Sequence, residues 1–327
     1  VNSIAQNFFT ALGSLTSPGG SNAALTVLLY HRVLDRADEL NPGEPSAAQF
    51  DAHMAVLARM FHVLPLDEAI SRLEAGTLPA RAVSVTFDDG YLDNLEVALP
   101  ILQRHGVVAT FFISTGLIDG GRMMHDTVIE TVRRFDAGDA ELTWLGLGKR
   151  VLGDTASRLA LIDEIVGKVK YLPLEERLET CSRLAGMVSD RLPDDLMLSS
   201  EQVLDLYRAG MRIGAHTHQH PILAKLTSDQ ARAQIDRSRD LLADVLGSAP
   251  TMFAYPNGKP GLDYTREHVE MVRQAGFGAA VSVSFGTVSR DSDHLQIPRF
   301  CPWDRTSWRF ALRLVEHPLR HRRPAMA

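Results

Sequence analysis

Along most of the chain, short apolar runs of strand length alternate with stretches whose apolar residues recur every three or four positions. The strand-like runs are 25–31, 61–66, 82–87, 107–113, 211–216, 251–256, 278–285 and 295–300. Between several of them the helical period predicts helices over 47–60, 67–75, 93–105, 200–209, 228–246 and 264–275. Ser199 and Gln202 stand in capping-box spacing before the helix at 200, and Gly210 stands where that helix should end. In 82–87, Val83, Val85 and Phe87 alternate with smaller residues, the pattern of a half-buried strand. Strand–helix alternation of this kind means a mostly parallel sheet, open or closed into a barrel.

The alternation breaks over 120–198. "AELTWLGLGKRVL" reads as a small hairpin around Gly146–Gly148, followed by two amphipathic helices separated by Pro173. This predicts a mostly helical insertion, 120–198, beside a barrel built from 25–119 and 199–302. Residues 1–24 form an N-terminal extension and 303–327 a basic amphipathic C-terminal segment. Without the insertion, the remainder has the size of one α/β barrel.

At 327 residues, with 45% hydrophobic and 23% charged, the chain can bury an ordinary globular core. A net charge of −6 gives no general pull toward nucleic acid. Cys181 and Cys301 lie far apart and outside any CxxC pair, so buried thiols are expected and no disulfide framework. No apolar run is long enough for a membrane span, and the first residues lack the positive region of a secretory signal, so cytoplasmic residence is expected. The C-terminal segment departs from the average, with six arginines against Asp304 and Glu316 and with Trp308, Phe310, Leu312 and Leu314 interleaved. Such a segment could lie on an anionic membrane surface, or pack as a helix with a solvated basic tail.

"AVSVTFDDG" runs an apolar strand into two adjacent aspartates, Asp88 and Asp89. Like charges at the end of a buried strand, where water is scarce, ask for a cation. "IGAHTHQHPIL" ends another strand with His216 and His220 four apart, which a helical turn would bring to one side. His218 then points away or supports the loop. One carboxylate and two imidazoles with open positions suit a catalytic Zn²⁺ or a related divalent ion. "MFAYPNGKPG" ends a third strand in a Pro-Asn-Gly turn with backbone N–H groups exposed, and His31 closes the first strand in "LLYHRV". Four polar clusters thus fall at the C-terminal ends of four strands, the face on which α/β barrels carry their chemistry.

"TFDDG" followed by "HTHQH", together with "LLYHRV", "ATFFISTG" and "FAYPNG" in that order, resembles the polysaccharide deacetylases, family 4 of the carbohydrate esterases. The resemblance implies a distorted (β/α)₇ barrel and a metal-dependent N-deacetylase of amino sugars in a polysaccharide or a lipid-linked saccharide. By motif position, Asp89, His216 and His220 would bind the metal, most commonly zinc with cobalt, nickel or manganese as alternatives, and Asp88 would be the catalytic base. Asn257 stands where the family uses a backbone N–H to hold the oxyanion, and Tyr255 is grouped with it for substrate contact. Two family features are missing: an arginine where this chain has Ala254, and a late Leu-x-His motif. The chain is similar to a circularly rearranged subgroup, the poly-N-acetylglucosamine deacetylases, which takes the acid histidine from its first strand; His31 matches, and by the same logic Arg299 in "IPRF" substitutes for the arginine beside Asp88. A different amide substrate and a non-catalytic carbohydrate-binding homologue are the alternatives. Asp126, in "MMHDTVIE", is expected on a helix surface, with a reach into the site as the alternative, and Trp144, Trp303 and Trp308 as packing residues that could otherwise stack on sugars.

Overall fold

The computed structural model describes residues 12–320 and 327; residues 1–11 of the N-terminal extension and 321–326 of the basic segment fall outside it, Arg322 and Arg323 among them. The strands are β1 (Thr26–Tyr30), β2 (His62–Val63), β3 (Ala82–Phe87), β4 (Thr110–Ile113), β5 (Gly138–Leu142), β6 (Gly148–Leu152), β7 (Arg212–Ala215), β8 (Met252–Ala254) and β9 (Ala279–Val281). Seven of them form one parallel sheet in the order β1-β3-β4-β7-β8-β9, with β2 paired to the start of β3. The run at 295–300 bridges the two ends of this sheet. The Ile297 N–H donates to Ala280 (2.8 Å), and the Phe300 N–H donates to Val27 (2.7 Å). Pro298 between them has no N–H to give, so the run makes isolated bridges where a full ladder would need every amide. The sheet is thereby curled into a distorted (β/α) barrel.

All six residues of β3 are buried, so the strand is covered on both faces and not on one. In a parallel sheet the crossover helices cover one face and the closed interior the other. Val83, Val85 and Phe87 pack outward with Phe50, Met54 and Leu102. Ala82 packs inward with Val27, Phe112, Ala254 and Ile297.

The outer layer holds helices α1 (Ala47–Met60), α2 (Leu66–Glu74) and α3 (Leu99–Arg104), and later α7 (Ser200–Arg208), α8 (Ser228–Leu246) and α9 (Arg266–Gln274); α4 to α6 belong to the insertion. Ser199 and Gln202 form the expected capping box on α7. The helix expected over 93–105 is divided: a wide π-type turn, Asn94–Ala98, precedes α3. Pro100 cannot donate into the preceding turn, which breaks the regular ladder there.

Within 120–198 the chain forms α4 (Met124–Arg134), the β5–β6 antiparallel hairpin, α5 (Thr155–Val169) and α6 (Leu174–Ala185). These elements share an apolar cluster of their own, including Val128, Leu142, Leu161, Ile165 and Leu184. They dock on the loop after β1, where Leu40 joins the cluster and Arg133 pairs with Asp38 at 2.5 Å. The last helix, α10 (Ser307–Arg320), buries Phe310, Ala311, Leu314 and Val315 against the body, with the Phe310 ring stacked on His53. Trp303, Trp308 and Leu319 remain exposed. Cys181 and Cys301 are free and only half-buried, short of the full burial expected. No helix among the described residues is long and apolar enough to cross a membrane.

Candidate active site and metal centre

Strands β1, β3, β7 and β8, with β4 between β3 and β7, end at one edge of the parallel sheet, and the residues that follow these four converge on one cavity of about 340 Å³. His31, Asp88 with Asp89, His216 with His220, and Asn257 all line it. The backbone is unusual at these strand ends. Asp89 (φ 78°), Thr217 (φ 62°), His220 (φ 51°) and Asn257 (φ 58°) all adopt the left-handed conformation, which costs energy for residues with a Cβ and concentrates at working sites. Gly90 continues the turn at φ 91°, where a side chain would press on Ile113 at 3.2 Å.

Asp89, His216 and His220 bring one ligand atom each to within 4.8 Å of one another. The Nε2 atoms of both histidines lie 3.4 Å from Asp89 Oδ1. The His216 Nδ1–H donates to the Ala254 carbonyl at 2.8 Å, which leaves its Nε2 lone pair aimed at Asp89. Asp89 Oδ1 is buried and has no hydrogen-bond partner, a costly state for a carboxylate oxygen. An orphaned oxygen facing two imidazole nitrogens is a donor set that fits a divalent ion.

Asp88 borders that set, its Oδ2 3.9 Å from His216 Nε2, but is bonded elsewhere. Its two oxygens accept from Arg299 Nη1 and Nη2, each at 2.7 Å, and both side chains are buried. Arg299 is held in turn by the Ser282 carbonyl (2.9 Å) and the Thr86 hydroxyl (3.3 Å). Burial pushes the Asp88 carboxyl up, but Arg299 and then His216 outweigh it and hold it below the usual carboxylate range. Asp89 is likewise held low, burial being outweighed by His216 and His220. Burial drives His220 down to about 3.

His31 lies at the rim, its ring 39% exposed and its Nδ1 3.9 Å from Glu44. His218 faces away from the triad: it pairs with the Thr115 hydroxyl at 3.1 Å, and its carbonyl accepts from the Gly116 N–H. A Cβ on Gly116 would sit 2.7 Å from that carbonyl. Tyr255 does not reach the cavity, contrary to its grouping with Asn257. Its ring stacks on Tyr264 outside the sheet, its hydroxyl donates to Leu295 (3.0 Å), and its N–H donates to Val281.

The insertion reaches the same cavity. Asp126 is buried there and not on a helix surface, accepting from Arg32 at 3.4 Å, with its second oxygen unpartnered. Burial drives its carboxyl up to about 7, against the pull of Arg32 and Tyr91. His125 lines the cavity beside it, its imidazole pushed down to about 4 by burial. From α6, the buried Arg177 donates to the carbonyls of His220 and Gln219, both at 3.0 Å, and so clamps the loop that carries a triad member. Sequence reasoning missed His125 and Arg177, and offered Asp126 at the site only as the second reading, behind a helix surface. Asp126 did leave a trace, since it stands three residues before the buried Ile129 and thus on the same helix face.

Comparison with known proteins bears on the family and the fold. The family model described as polysaccharide deacetylase matches residues 75–280. The Bacillus subtilis protein YxkH, provisionally named a polysaccharide deacetylase, is 22% identical over 271 residues, covering 82% of this chain and 68% of its own. Among solved structures, the deacetylase PplD of Streptococcus pyogenes superposes with a TM-score of 0.60 at 19% identity, over 90% of this chain and 99% of its own. IcaB of Ammonifex degensii superposes with a TM-score of 0.55 at 20% identity, over 92% and 98%. At such identities the superpositions speak for the fold, but the family match spans most of the barrel and both histidine- and aspartate-bearing strand ends, and by it the chain belongs to the polysaccharide deacetylase family.

Proposed function

We propose that the protein is a metal-dependent hydrolase that removes N-acetyl groups from an amino sugar in a polysaccharide or a lipid-linked saccharide. The observation that carries this reading is the division of labour between neighbouring aspartates: Asp89 faces His216 and His220, while Asp88 is reserved by Arg299. Asp89, His216 and His220 would hold the ion, with zinc the best match to an oxygen and two imidazoles. A bound ion supplies Lewis acidity, polarising the amide carbonyl and lowering the pKa of the attacking water. Asp88, held ionised by Arg299, takes the proton of that water as general base. The Asn257 N–H meets the charge developing on the carbonyl oxygen. His31, which lines the same cavity, delivers a proton to the departing amine. The 25–119 and 199–302 segments form the catalytic barrel in this reading, and the 120–198 insertion forms one wall of its mouth.

Metal content and acetate release from N-acetylglucosamine oligomers, each measured before and after chelation, test the reading together. One equivalent of metal and chelator-sensitive acetate release are expected. A protein that binds no divalent metal even after reconstitution would overturn it.

A further inference from the structure

The mouth of the barrel is divided by charge. The catalytic cavity is lined by four acids, Glu44, Asp88, Asp89 and Asp126. Beside it, sharing Met123, His125, His220 and Asn257 with it, lies a smaller annex of about 50 Å³. The annex is lined by Arg122, Lys170 and Arg177, and by no aspartate or glutamate.

The cations of the annex lack counter-charges. Two arginines are buried among the described residues. Arg299 carries Asp88, whereas Arg177 is satisfied only by neutral carbonyls. Arg122 donates to the Thr127 hydroxyl (3.1 Å) and the Pro193 carbonyl (2.5 Å). Lys170 sits 5.7 Å from the centre of the Tyr171 ring, and burial pushes its ammonium pKa down. Among the described residues none of the three has a carboxylate within ion-pair distance; Asp126 and Asp194 act on Arg122, and Asp263 on Lys170, only from further off. Desolvated positive charge without an acid is costly unless a ligand brings the anion.

We propose that this annex is a subsite for an oxyanion, phosphate or carboxylate, borne by the substrate saccharide beside the acetamido sugar that occupies the catalytic cavity. The inference rests on the deacetylase reading above and narrows its substrate class to anionic saccharides. The annex has room for a compact group of a few heavy atoms, so the anion is attached directly to the reacting sugar or to its immediate neighbour.

The test compares kcat/KM of the metal-loaded protein on three probes: a neutral N-acetylglucosamine oligomer, N-acetylglucosamine 1-phosphate, and an N-acetylglucosamine–glucuronate oligomer. At least one anionic probe should be preferred by about tenfold or more, and the preference should shrink with added salt. It should collapse in Lys170→Met and reverse in Lys170→Glu. Which anionic probe wins separates phosphate from carboxylate. Equal kcat/KM on all three probes, or a preference untouched by both Lys170 variants, would overturn the subsite. If no probe releases acetate, the deacetylase reading fails by itself, and calorimetric binding of the same probes to wild type and Lys170→Glu decides the subsite separately. Tighter binding of an anionic probe, lost in the variant, would support it; indifference to charge would overturn it.

Discussion

Asp88 and Arg299 meet carboxylate to guanidinium across 211 positions of sequence, with two parallel contacts of 2.7 Å inside a barrel that excludes water from both. The fork geometry satisfies both carboxylate oxygens and fixes the plane of the base. Arg299→Met would strand a buried negative charge, at a cost of about 3–5 kcal/mol. It would also remove the strongest downward pull on Asp88, so the acid limb of the pH–activity profile should move to higher pH. Arg299→Lys keeps the charge but not the fork, and should fall between. Urea unfolding and pH–rate profiles of the three proteins check this; an acid limb that stays put in Arg299→Met would remove Asp88 from the role of base.

Asp88→Asn separates the base from the ligand set. The amide keeps the shape but cannot take a proton, so acetate release should fall by about 10²–10⁴-fold or more. Metal stoichiometry should remain as in wild type, because Asp89, His216 and His220 are untouched. Elemental analysis beside an acetate assay reads both; loss of metal in this variant would show that the two aspartates share the ion.

His31 is asked only to protonate a poor leaving group. His31→Asn should therefore slow amide hydrolysis by about 10²–10⁴-fold and slow hydrolysis of an activated aryl acetate far less, since a phenolate leaves without help. Parallel assays on the two substrates check it. Equal losses on both would point to a binding role for His31.

The strand ends were legible because their signals are local. Each apolar run stops at a polar group, and the four-residue spacing of His216 and His220 is contained in one loop. Arg299 was legible only through family resemblance, since nothing local ties it to Asp88. Tyr255 was misplaced for a reason visible in the pleat: Phe253 and Tyr255 share the outward face, while Met252 and Ala254 face the interior. Asp126 and Arg177 come from the insertion, and tertiary docking, which no periodicity encodes, brings them to the cavity.

Arg177 links the insertion to the triad by two bonds to backbone carbonyls, one of them that of His220. His220 holds a left-handed conformation that its surroundings must enforce. Arg177→Gln should weaken divalent-metal affinity by about 10–100-fold, the usual effect of removing support behind a ligand. Competition with a chromophoric chelator measures it, with circular dichroism as the check on folding. Unchanged affinity would mean that the loop holds its shape without the insertion.

Asp126 makes stability depend on pH in an unusual direction for an aspartate. Burial, outweighing the pull of Arg32, pushes its carboxyl up to about 7 in the folded protein, from the 3.8 of an ordinary aspartate. The folded state therefore holds a proton that the unfolded chain has released, and the stabilisation this brings is complete below about pH 4 and lost as pH rises through 7. The shift corresponds to something on the order of 4 kcal/mol. Asp126→Asn cannot ionise and still offers an oxygen to Arg32, so it should be more stable than wild type at pH 8, with the gap closing toward pH 5. Thermal unfolding of both proteins across that range decides the matter. Parallel curves would mean that Asp126 stays ionised throughout, with Arg32 supplying the compensation that its 3.4 Å contact alone does not suggest.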